Sequence, residues 1–141
     1  MSDLAAFVGE WSMAVGVPGA PQGRVLIEWM PGEKFIVERW DIPHPEAPDG
    51  LAVMGWDEGR ATYLQHYFDS RGVARVYDMG LADGVWTLSR TKPDFSPLRF
   101  WQRFEGTFSD DGGTIDGRWE TSQDEGATWE RDFDMTYTRI G

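Results

Sequence analysis

Apolar and polar residues alternate over short stretches along most of the chain. In the segment 98–108, Leu98, Phe100, Gln102, Phe104, Gly106 and Phe108 fall on one side of an extended backbone. Arg99, Trp101, Arg103, Glu105 and Thr107 fall on the other. In 114–122, Ile115, Gly117, Trp119 and Thr121 oppose Thr114, Asp116, Arg118 and Glu120. In 128–140, Trp129, Arg131, Phe133, Met135, Tyr137 and Arg139 oppose Glu130, Asp132, Asp134, Thr136 and Thr138. A period of two means strands. Gly, Pro and Asp punctuate the chain at short, even intervals, as in all-β proteins. The pattern predicts ten strands, at 11–17, 24–30, 35–42, 51–56, 61–69, 73–81, 85–91, 98–108, 114–122 and 128–140. One short helical turn is predicted at 4–7, N-capped by Ser2 or Asp3 and ended by Gly9.

Hairpin-length loops join all consecutive strands except after the third and the seventh. The result is an all-β, antiparallel up-and-down meander of about ten strands with a short N-terminal helix. Such a meander closes into a barrel, because closure removes exposed edges; a β-sandwich is the competing arrangement. A barrel of eight to ten strands encloses side chains and one small ligand. The 141 residues are read as a single domain, 1–141.

Composition narrows the function. Thirteen basic and 24 acidic side chains give a net charge of −11, which disfavours a nucleic-acid partner. There is no Cys, hence no disulfide, thiolate metal site or thiol nucleophile. No apolar run approaches membrane-spanning length, so no membrane partner is expected. Met1-Ser2-Asp3-Leu4 has no basic stretch or apolar core, so the expected compartment is the cytoplasm. Two His far apart, with no third ligand at metal spacing, give no expected metal site. The Asp/Gly turns are too short for a calcium loop, and no cofactor motif is present.

Candidate chemistry comes from side chains assigned to the interior. If Ser70-Arg71-Gly72 is a three-residue loop with Gly72 left-handed, Phe68 pairs with Ala74 and His66 with Val76. His66 and Asp78 then share an otherwise apolar face, with His66 as acid/base and Asp78 orienting it. The competing and weightier reading makes His66 a core histidine satisfied by a neighbour. Gln102 and Arg131 would be polar anchors among Phe100, Phe104, Trp129, Phe133 and Tyr137, with Arg131 favouring an anionic group. Alternatively, Arg131 pairs with an internal acid such as Glu38 or Asp78.

Several strings resemble a bacterial family of unknown function. They are Tyr-Leu-Gln-His-Tyr-Phe-Asp-Ser-Arg-Gly-Val (63–73), Arg-Val-Tyr-Asp-Met (75–79), Gln-Arg-Phe-Glu-Gly-Thr-Phe-Ser-Asp-Asp-Gly (102–112) and Thr-Ile-Asp-Gly-Arg-Trp-Glu-Thr-Ser-Gln-Asp-Glu-Gly (114–126). Trp129 and Asp132-Phe133-Asp134 extend the likeness. The resemblance implies a calycin-like barrel, akin to lipocalins, fatty-acid-binding proteins and nitrobindins, and implies no activity. Gly9-Glu10-Trp11 resembles the lipocalin Gly-x-Trp, which implies a structural plug. The nitrobindin start continues to a further Gly, here Met13, and the last strands hold no His, so haem is not implied. The fatty-acid-binding Arg-x-Tyr clamp is reversed here as Tyr137-Thr138-Arg139.

Three functional readings follow. The first is binding of a small, mainly hydrophobic ligand, aromatic or weakly anionic, in the barrel. The second is a cofactor-independent enzyme using His66. The third is a solid structural barrel that forms homodimers through an outer face bearing Trp101 and Tyr63 or Tyr67.

Overall fold

The structure, a computed structural model, describes residues 3–16, 19, 21–44 and 47–140. Ser2 as N-cap, Val17 and Pro18 at the end of the first predicted strand, and Pro45-Glu46 lie outside the described residues, and Asp3 is described in its backbone only. A 3-10 turn, Asp3–Phe7, leads into ten strands: β1 (Gly9–Val15), β2 (Gly23–Trp29), β3 (Phe35–Asp41), β4 (Gly50–Asp57), β5 (Thr62–Asp69), β6 (Ala74–Ala82), β7 (Val85–Arg90), β8 (Trp101–Phe108), β9 (Thr114–Ser122) and β10 (Glu130–Arg139). Each pairs antiparallel with the next, and β1 pairs with β10, so the meander closes. All ten predicted strands form, and the predicted helix is the 3-10 turn.

One end of the barrel is filled. Phe7 is fully buried, edge-on to Trp86 (ring centroids 4.9 Å apart) and Phe108 (5.2 Å). Trp11 is fully buried, and its indole N–H donates to the Phe7 carbonyl at 2.9 Å. Arg139 lies across the Trp11 ring, 4.1 Å from its centroid, and donates to the Val8 and Ala6 carbonyls at 2.8 Å each. One side chain thus satisfies two carbonyls of the plug and covers its largest ring.

Higher up, Phe104 lies over the facing pair Gly106 and Gly117. A Cβ at Gly117 would come within 2.5 Å of the Phe104 ring, so these strands need glycine there.

The loop 91–100 does structural work that its sequence does not announce. β6 pairs with β7 only over residues 78–82, which leaves its first half without a strand partner on that side. The loop supplies one. The Asp94 carboxylate accepts from the Val76 N–H (2.7 Å), and the Ser96 hydroxyl donates to the Ala74 carbonyl (2.8 Å). Buried Arg90 donates twice to Asp94, at 2.9 Å each, and also to the Ser96 carbonyl. Burial works against the Asp94 charge, but Arg90 and the Val76 and Ser96 N–H groups outweigh it and hold the carboxyl well below its usual range.

Candidate functional site

The other end of the barrel is open. A cavity of about 410 Å³ runs down from it, walled by Trp40, Tyr67, Tyr77, Phe100, Phe104, Trp119 and Phe133, among others. Register places its main groups. Glu38 of β3, Ala52 of β4, Tyr67 of β5 and Arg75 of β6 are successive cross-strand partners, so they form one row on the inner wall. Met54, Gln65 and Tyr77 form the adjacent row. Glu38, Tyr67 and Arg75 of the first row line the cavity, whereas Ala52 is fully buried behind it. Trp40 folds over Gly50, where a Cβ would lie 2.4 Å from its ring, and stacks on Tyr67 (5.4 Å, 28°). The aromatic wall at the mouth therefore depends on a glycine.

The polar groups fall into three sets. At the mouth, Tyr67 donates to Asp69 (2.6 Å), which also holds Arg71 (2.7 Å). Burial, with the Asp69 hydrogen bond, pushes the Tyr67 hydroxyl well up. On the wall, the Gln102 carbonyl accepts from Arg75 (3.0 Å) and Tyr77 (3.1 Å). Across the barrel, Glu38 is 3% exposed and accepts from the Tyr137 hydroxyl at 3.2 Å. Burial raises the Glu38 carboxyl from 4.5 to about 7, and the Tyr137 bond only partly opposes this. Burial and the nearby Glu38 push the Tyr137 hydroxyl well up in turn. Gln65 Oε1, Arg75 Nε and Trp86 Nε1 are buried without a hydrogen-bond partner among the described residues.

The sequence-derived candidates divide. Phe100, Gln102, Phe104, Phe133 and Tyr137 all line the cavity. His66, Asp78, Trp129 and Arg131 do not, and their assignment to the interior is corrected. For β5 and β6 the expected register holds: His66 pairs with Val76, Phe68 with Ala74, and Gly72 is left-handed. The face is the opposite one. Gln65, Tyr67, Arg75 and Tyr77 line the cavity, while His66 and Asp78 sit on the outer wall, where Asp78 lies 3.8 Å from Lys92. Apolarity misled because β5 carries apolar groups on both faces: Leu64 on the outer side is 4% exposed.

For β10, a bulge at Asp132 shifts the register between Arg131 and Phe133. The extra residue reverses the facing of everything before it. Arg131 is exposed and lies 3.6 Å from Asp134. Trp129 packs outside under Arg103, 4.0 Å from its ring centroid. Glu38 is internal, as one alternative had it, but its partner is Tyr137 rather than Arg131. Tyr67, expected on an outer dimer face, lines the cavity, and Tyr63 packs against the core.

Sequence reasoning missed Gln65, Tyr67, Arg75 and Tyr77 as cavity residues. The available signal was β4. Ala52 and Met54 are its inward pair, and register carries their facing across to Tyr67 and Gln65.

Among the described residues, no group of three or more His, Asp or Glu side chains is placed to hold a metal ion, and no helix is long and apolar enough to cross a membrane. Fold and site together define a closed ten-stranded antiparallel barrel with one plugged end and one open, aromatic-walled cavity. No family model and no curated protein matches the chain.

Proposed function

We propose that this protein is a binding module of the calycin-like type that holds one small, mainly apolar aromatic molecule in its barrel. The observation that carries the reading is the cavity itself. Its volume of about 410 Å³ lies at the small end of the usual range for ligand sites, roughly 300–1,000 Å³. Its walls are rings, with a few converging polar groups. That is the composition of a site that gains affinity from apolar contact and orientation from hydrogen bonds. The plug of Trp11 under Arg139 supports the calycin-like assignment.

The test is titration with the neutral probe N-phenyl-1-naphthylamine, read by tryptophan quenching. The expected result is saturable, one-to-one binding that weakens at least tenfold in Met135→Trp, which fills the cavity, with the thermal midpoint kept. No binding, or equal binding to the filled variant, overturns the proposal.

A second reading has one observation in its favour. A buried carboxyl that titrates at about 7 beside a cavity suits acid–base chemistry at neutral pH. This supports Glu38 rather than His66 as the proton-transfer group of a cofactor-independent enzyme. Turnover that survives Glu38→Gln unchanged would end that reading.

A further inference from the structure

We propose that the ligand is a small aromatic carboxylate bearing a hydrogen-bond donor on the far side of its ring, with the carboxylate at Arg75 and the donor at Glu38. This rests on the binding reading above and goes further by assigning the two ends of the ligand.

The first observation is an unbalanced cation. Arg71 is ion-paired with Asp69 and Arg90 with Asp94. Arg75 lines the cavity and has no carboxylate within ion-pair distance among the described residues. Its guanidinium donates to the neutral Gln102 amide at 3.0 Å and lies 5.7 Å over the Phe100 ring, and its Nε has no acceptor among the described residues. Gln102 cannot supply more, because its carbonyl already takes two bonds, from Arg75 and Tyr77. Acids outnumber bases in this chain by 24 to 13, so a cavity cation left without one is notable. A planar guanidinium with free N–H groups matches a carboxylate in shape and charge.

The second observation is an acceptor further round the cavity wall. Glu38 is buried, and Tyr137 is its one hydrogen-bond partner among the described residues. A carboxyl group has acceptor capacity beyond one bond, so a ligand hydroxyl or ring N–H completes it.

The third observation is spacing. Glu38 and Arg75 share one cross-strand row, three strands apart, and both line the cavity. Three strand spacings make roughly 14 Å along the wall, less across the barrel. Both side chains reach inward from there into the one cavity, whose volume of about 410 Å³ suits one substituted ring. A long alkyl tail would end on the polar Glu38–Tyr137 pair, unmatched.

The test is calorimetric titration of the full chain with 4-hydroxybenzoate, benzoate and phenol, alongside the neutral naphthylamine probe. The expected order is 4-hydroxybenzoate tightest, benzoate about fivefold weaker and phenol at least tenfold weaker. Arg75→Met should erase the advantage over phenol, and Arg75→Lys should restore part of it. Glu38→Leu should erase the advantage over benzoate. If the neutral probe binds but phenol equals 4-hydroxybenzoate in the unaltered protein, the bipolar assignment is overturned and the binding reading stands. A ranking unchanged in Arg75→Met overturns it likewise. If neither the probe nor any of the three binds, both readings fall. The ranking in the unaltered protein decides the matter even where a variant does not fold.

Discussion

At the plugged end, Phe7, Trp11 and Arg139 close on one another, and the Trp11 indole and the Arg139 guanidinium both find carbonyl acceptors. At the open end, among the described residues, Arg75 lacks a counter-charge and Gln65 Oε1 lacks a donor, and Trp40 and Tyr67 stack over a hollow. Both ends are rich in aromatic rings. The difference is whether rings meet other rings with no space left, or meet a void. Filled aromatic packing stabilises the fold. Aromatic walls around a void leave part of that contact to be made by something else.

Substitutions at the two ends should therefore behave differently. The largest expected effect is at the plug. Trp11→Ala should cost about 3–5 kcal/mol in denaturant unfolding, the range for emptying a packed ring site. Trp40→Ala, on a half-buried ring at the mouth, should cost no more than about 1–2 kcal/mol and should weaken probe binding more than stability. Equal costs at both positions would break the contrast.

Next comes the strap beside the mouth. Asp94→Ala leaves buried Arg90 without its partner and frees the Val76 N–H, and about 3 kcal/mol should be lost. Amide exchange of Val76 should accelerate with it.

A third effect concerns pH. Glu38 rises from 4.5 to about 7 on folding. The unfolded chain releases that proton at lower pH, so this group favours the fold below about 4.5 and loses its contribution as pH rises to about 7. At about 1.36 kcal/mol per unit, the slope over that window amounts to about 3 kcal/mol at most. Asp94 and Asp69 shift the other way: their contributions are present above the ordinary Asp value and are lost as pH falls below it. Stability should therefore peak near pH 4–5, and Glu38→Gln should flatten the neutral side alone. A slope unchanged in that variant would show that Glu38 is not its source.

The smallest effect belongs to His66. His66→Ala, on the outer wall, should alter stability by less than about 0.5 kcal/mol and leave probe binding unchanged. A loss of binding would place the site elsewhere.

The strand pattern was legible because turns and alternation are local. Gly72 in the left-handed region and the Phe68–Ala74 register could be read from three loop residues. The inner faces of β8 and β9, with Gln102, Phe104 and Trp119, were legible for the same reason. Their outer faces are charged, so alternation had one meaning. β5 was not legible, because Leu64 and Phe68 face one way while Tyr63 and Tyr67 face the other. Hydrophobicity could not choose between them.

The residues by themselves determined ten short strands, their turns, and a meander with reason to close. Those follow from backbone preferences and a period of two, which act over a few neighbours. Only the closed barrel decided which face of β5 and β6 turns inward, because β4 imposes its facing through register. Only pairing with β9 revealed the bulge at Asp132 that sends Arg131 and Trp129 outside. Glu38 and Tyr137 lie 99 residues apart in the chain and meet only when β1 pairs with both β2 and β10. A cavity is a property of the whole ring of strands, so no local stretch of sequence could specify which side chains converge in it.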